Sequence, residues 1–226
     1  MKRYAALTVV MLLILGFMVG FGSSQSDAKD NSEFETTINN VGTFISSNKN
    51  LFLKGLDISS EKSSENVVCW VNGVPVSNDE LQVRLKLNQL SGKGPQTIDD
   101  VKKRLIREKV ILKEAEKQGV IPTNKEIDKF LEMEKNQMQT IPEFREGVEK
   151  IIDAWGLTEE EYWNVYERYN AYRILMLEKL GKKIIPDFYE KEKITFDDDK
   201  AAKAKFDNHI KEKLAEAEIK ENPNFK

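Results

Sequence analysis

Two runs of carboxylates, one cysteine and one histidine are the side chains here whose types could do chemistry. The acidic runs are Glu159-Glu160-Glu161 and Asp197-Asp198-Asp199. Two carboxylates act as acid and base only where a cleft and a neighbour drive their pKa values apart. Neither run signals such a site. Each stands where a helical pattern begins, and negative charge there suits the positive end of the helix dipole. The Asp run also lacks the glycine and distal glutamate of a calcium loop. A single histidine, His209, and a single cysteine, Cys69, cannot make a Cys/His metal cluster. Cys69 lies among β-formers in VVCWV and reads as a small buried residue. A nucleophilic thiol would want a basic partner, and His209 is remote on a charged helical stretch. No catalytic residue, metal or cofactor is expected.

A different set has the chemistry of contact. Met133, Met138, Phe144, Trp155, Tyr162, Trp163, Tyr166 and Tyr169 fall close together. Such side chains either fill a core or line a groove for unfolded polypeptide. Flexible thioethers and amphipathic rings touch varied sequences without demanding one hydrogen-bond pattern. Trp163 falls off the helical stripe of Tyr162, Val165, Tyr166 and Tyr169, so part of the set is expected outside the core.

These residues are positioned by a series of helices. Val67–Val71, the turn dipeptide Asn72-Gly73 and Val74–Val76 read as strand, tight turn and strand. Ser77 with Glu80, Thr97 with Asp100, Thr123 with Glu126 and Thr158 with Glu161 form four S/T-x-x-D/E boxes. Each precedes an apolar run at spacings of three and four. Gly119, Pro142, Gly156 and Gly181 supply stops. A last helix runs to Leu214. Ala217 and Ile219 alternate as a short strand, expected to pair with the opening one because buried backbone needs partners. The fold expected is mainly α, with a small β pairing between about 67–72 and about 215–220.

At 226 residues, the chain has room for one medium domain and a tail. Charged residues make up 32% with a net charge of -3, which gives no electrostatic case for nucleic acid. Lys2 and Arg3 precede an apolar run, Ala5 to Gly22, with a small-x-small site at Ser26-Asp27-Ala28. Residues 1–28 therefore read as a cleaved signal peptide or a retained membrane anchor, and the body as exported. Residues 29–66 read as a linker, poorly ordered or partly helical, 67–220 as the folded domain, and 221–226 as a tail.

Three segments resemble the N-terminal chaperone domain of the SurA family, shared with PrsA-like foldases. They are VNGVPVSNDEL, RLIREKVILKEAEKQGVIPTNKEIDKFL and WGLTEEEYWNVYERYNAYRIL, in that order, within about residues 67–185. The resemblance implies a helical holding domain closed by a C-terminal helix and strand. The family usually inserts a parvulin-type prolyl isomerase module. Here the stretch from Ile185 to Lys200 stands in its place, and one histidine cannot supply the parvulin pair. The expectation is an extracytoplasmic chaperone that binds unfolded or extended polypeptides without catalysis, using the Met and aromatic set. It would sit in the periplasm, the cell envelope or the outer face of the cytoplasmic membrane. Its partners would be exported clients, the membrane if the anchor stays, and a second copy if helices exchange. Two alternatives remain: a membrane-tethered assembly protein with one dedicated partner, and a prolyl isomerase by family name only.

Overall fold

The structure is a computed structural model and describes residues 31–56, 66–92, 94–186 and 200–225. The targeting segment read over 1–28 and the run Asp197–Asp199 lie outside these residues.

In chain order, α1 is Asn31–Ser47 and α2 Lys49–Leu56, followed by β1 Val67–Val71 and β2 Val74–Ser77. Then come α3 Asn78–Ser91, α4 Ile98–Lys117, α5 Asn124–Thr140 and α6 Pro142–Trp155. A short α7, Glu159–Glu161, passes through a π-helical turn, Tyr162–Glu167, into α8, Arg168–Ile184. The described chain ends with α9 Lys200–Ala215 and β3 Ile219–Glu221. The expected mainly helical fold with a small β pairing is what forms.

The sheet has the order β2-β1-β3, antiparallel throughout. Asn72 and Gly73 take φ of 49° and 81°, the left-handed values that a two-residue hairpin turn requires. On the other edge, Cys69, Trp70 and Val71 pair with Glu221, Lys220 and Ile219. The C-terminal strand thus closes on β1 as expected, slightly later than 215–220. Residues 221–226 are not simply a tail. Glu221 belongs to β3, and the Asn222 side-chain amide donates to the Val67 carbonyl at 2.6 Å.

Of the four boxes, two are reciprocal. Thr123 with Glu126 and Thr158 with Glu161 exchange both hydrogen bonds. Ser77 accepts from the Glu80 amide, but the Glu80 carboxylate turns away to Lys109 at 2.9 Å. Thr97 likewise accepts from the Asp100 amide, and its hydroxyl meets the Asp100 carboxylate. Gly181 does not stop α8; it is buried in the helix, which runs on to Ile184.

The linker expected over 29–66 is corrected over residues 31–56. They form α1 and α2, whose Ile38, Val41, Ile45, Phe52 and Leu56 are buried in the main core. Scattered Asn, Ser and Gly obscured the pattern. Gly42 is needed because α1 lies close on α6: a Cβ there would stand 2.2 Å from the Ala154 carbonyl oxygen.

Four apolar clusters form among the described residues, the smallest pairing Ile185 with Ala202. The largest joins α1, α2, α5, α6 and the π turn with Val83 and Leu87 of α3. A second lies between β1, β2, α3 and α4. A third packs α4, α8 and α9 together through Ile111, Ala115, Leu180 and Phe206.

Candidate functional site: a closed aromatic chamber

The helix that opens at Thr158 widens to a π turn over Tyr162–Glu167. π turns inside α-helices are rare and tend to mark functional positions. The extra residue in the turn brings Tyr162, Trp163, Tyr166 and Glu167 all into the interior. Tyr162 meets Trp163 edge to face at 5.1 Å, and Trp155 meets Tyr166 edge to face at 5.0 Å. Phe52 of α2 completes the wall. It stacks on Tyr166 at 6.2 Å and meets Trp155 edge-on at 6.0 Å. On the α5 side, the Lys135 ammonium stands 5.1 Å over the Trp163 ring. The chamber is therefore enclosed by α2, α5, α6 and the π turn.

This corrects the expected open groove. Phe144, Trp155, Tyr162, Trp163, Tyr166 and Tyr169 are all buried. Trp163 is only 2% exposed, although it falls off the regular helical stripe. The π turn and the enclosure of this helix on several sides account for that. Met138 is partly buried against the same cluster. Met133 is 49% exposed and faces outward. It lines a shallow groove of about 400 Å³ with Lys129, Glu132, Asn136, Gln137 and Thr140. Tyr169 belongs to a neighbouring ionic layer: Arg84 donates to its hydroxyl at 3.4 Å, and the Arg173 guanidinium lies 5.5 Å from its ring centre.

That ionic layer joins α3, α4 and α8. Glu108 accepts from Arg84 at 3.2 Å and from Arg173 at 3.1 Å, with Arg104 also close. Burial alone would raise the Glu108 carboxyl; Arg173, Arg84 and Arg104 outweigh it and hold the group at about 2. Lys109 pairs with buried Glu80. Every one of these charges has its partner, which marks a structural layer.

The chamber is different. Glu134 of α5 and Glu167 of the π turn are both buried, and both Glu134 carboxylate oxygens lack a hydrogen-bonding donor in the structure. So does Oε1 of Glu167, while its Oε2 accepts from the Asn170 amide at 3.4 Å. The indole N–H groups of Trp155 and Trp163 are also buried without an acceptor. Burial and then Glu167 push the Glu134 carboxyl up to about 9, and burial pushes Glu167 up to about 7. A protonated carboxyl can donate as well as accept, so both shifts favour the neutral, donating form of these acids.

The pair was missed from the sequence, although a signal existed. Glu134 continues the inward stripe of Ile127 and Leu131 at spacings of four and three. An acid on an apolar stripe needs a partner, and Glu167 sits similarly beside Tyr166. Two carboxylates do not make a metal centre; among the described residues no group of three His, Cys, Asp or Glu comes together. Cys69 is buried in β1, where burial raises its thiol, as expected of a packing residue. His209 meets Glu114 at 3.2 Å on the contact of α9 with α4. Glu159–Glu161 occupy the first helical turn, with Glu161 in the capping box.

The chamber can thus offer aromatic faces, two indole donors and carboxyl groups. Comparison of the chain with protein-family models, curated proteins and solved structures finds no match.

Proposed function

We propose that this chain is an extracytoplasmic chaperone that holds non-native polypeptides by apolar contact, without a bond-making step or a cofactor. The observation that carries this reading is the set of orphaned polar atoms inside the aromatic chamber. A core under selection for stability alone pairs its buried donors and acceptors, because each unpaired one costs about 1–3 kcal/mol. Trp155 Nε1 and Trp163 Nε1 are buried without an acceptor within a wall of rings. Opening the chamber would relieve that penalty, and a client backbone would supply the acceptors. The rings would bind apolar side chains of varied shape. The three SurA-like segments and the apolar N-terminal run support the same reading.

The test is suppression of aggregation. A chemically unfolded client diluted into excess protein should scatter light more slowly, and Trp163→Ala should weaken that effect. A protein that leaves aggregation unchanged at tenfold excess is not a holding chaperone. Turnover of a prolyl peptide in a standard isomerisation assay would replace this reading with an enzymatic one.

A further inference from the structure

The outer wall of the chamber is a separate piece of chain. Residues 31–56 carry α1 and α2, and the polar stretch DISSEKSSEN joins them to the rest. Both helices are amphipathic, and they place Val41, Ile45, Phe52 and Leu56 against α3, α6 and the π turn. Partly exposed polar contacts add to this apolar packing. Lys49 pairs with Glu161 at 2.6 Å and donates to the Gly156 carbonyl at 3.1 Å, and Lys150 reaches Glu35 at 3.6 Å. Partly exposed pairs of this kind contribute at most about 1 kcal/mol each. Apolar contact and shape therefore hold α1 and α2 in place. The second and third clusters, around Leu105 and around Leu180, contain no residue of either helix. Phe52 packs against both Trp155 and Tyr166, the rings that the holding reading assigns to client contact.

We propose that residues 31–56 are a built-in stand-in for the client, and that the chamber's substrates are amphipathic helix-forming segments of other polypeptides. The inference rests on the holding reading and narrows it. An incoming helix would displace α1 and α2 and lay its own apolar face on Trp155, Tyr166, Val83 and Leu87. This is helix-in-groove recognition, read by anchors at spacings of three, four and seven. Ile38, Val41 and Ile45 show that spacing in the resident segment. In the unoccupied protein, α1 and α2 cover the rings and keep them from one another's copies.

The test uses the full chain and a fluorescent peptide copy of residues 31–56. Gly42→Ala places a methyl against the Ala154 carbonyl and wedges α1 off α6. Ile45→Asp is a second wedge. Hydrogen exchange should show amides of 31–56 opening in either variant while those of α4 stay protected. The variant should then bind the peptide copy at least tenfold more tightly than the unaltered chain. A Thr/Val-rich extended peptide of equal length should not compete. If neither variant opens 31–56 without also unfolding α4, the segment is ordinary core and the proposal fails. It also fails if an opened variant binds the copy no better, or binds the extended peptide equally well. Aggregation suppression that ignores both wedges and peptide would overturn this inference alone. Tight peptide binding without any suppression would overturn the holding reading instead.

Discussion

Glu134 of α5 and Glu167 of the π turn are both buried, and burial together with the charge of Glu167 raises the Glu134 carboxyl. The groups around them include Tyr162 and Tyr166 from the π turn and Asn170 from α8. Phe52 and Trp155 pack their rings against Tyr166. Both carboxyls titrate above their ordinary value of 4.5, with Glu167 at about 7 and Glu134 at about 9.

Their pH dependence has a definite sign. A carboxyl raised by folding contributes stability that is complete below its unfolded value and is lost as pH rises through the folded one. The protein should therefore weaken as pH rises above 4.5 until both carboxyls have ionised in the folded state, by roughly 1.4 kcal/mol per pH unit for each carboxyl that only the fold keeps protonated. Urea midpoints at pH 6 and pH 9 should differ accordingly (an ordinary denaturation range, ~1–3 kcal/mol/M in slope). Glu134→Gln, which cannot ionise, should flatten the difference. Identical curves at both pH values would mean that the pair is already charged.

The ionic layer around Glu108 behaves in the opposite sense. Its carboxyl is held at about 2, so its contribution is present above 4.5 and fades as pH falls toward 2. Glu108→Gln leaves Arg84, only 3% exposed, without its main counter-charge. A loss of about 3–5 kcal/mol is expected. Denaturation of the variant at pH 7 measures it, and a loss under 1 kcal/mol would contradict the assignment (a surface pair contributes ~0–1 kcal/mol).

Phe52 tests how far the chamber depends on its outer wall. Phe52→Ala removes a fully buried ring packed against both Trp155 and Tyr166 and should cost about 3–5 kcal/mol. Tryptophan emission should shift to the red as water reaches Trp155. An unshifted spectrum with unchanged stability would show that the wall collapses to fill the gap.

Asn222 anchors the end of the sheet. Its side chain donates to Val67, and its backbone amide donates to the Val68 carbonyl at 3.0 Å. Asn222→Ala should cost about 1–3 kcal/mol, the range for leaving a buried carbonyl without its donor. Exchange of the Asn72 amide, bonded to Glu218 at 2.9 Å, should quicken with it. Unchanged exchange would place the sheet's closure elsewhere.

The helical frame was legible in the sequence because capping residues and apolar spacing coincide at Thr97, Thr123 and Thr158. The strand pairing was legible because Val67–Val71 is too apolar to stand as an unpaired edge. Three features escaped. Residues 31–56 read as partly helical, but Asn, Ser and Gly42, whose small size serves the contact with Ala154, masked their place in the main core. The π turn has no period of its own, so regular helical spacing misplaced Trp163. The acidic pair escaped for a related reason: the carboxylates weighed were the consecutive runs, whereas Glu134 and Glu167 each stand singly on an apolar face.

The β1–β3 ladder joins segments far apart in the chain, as between Asn222 and Val67, 155 positions away. Local helices can form early, but this edge must wait until nearly the whole domain has emerged from the ribosome or crossed a membrane. Sheet completion would then be among the last folding steps, and a chain still in transit would lack its final strand.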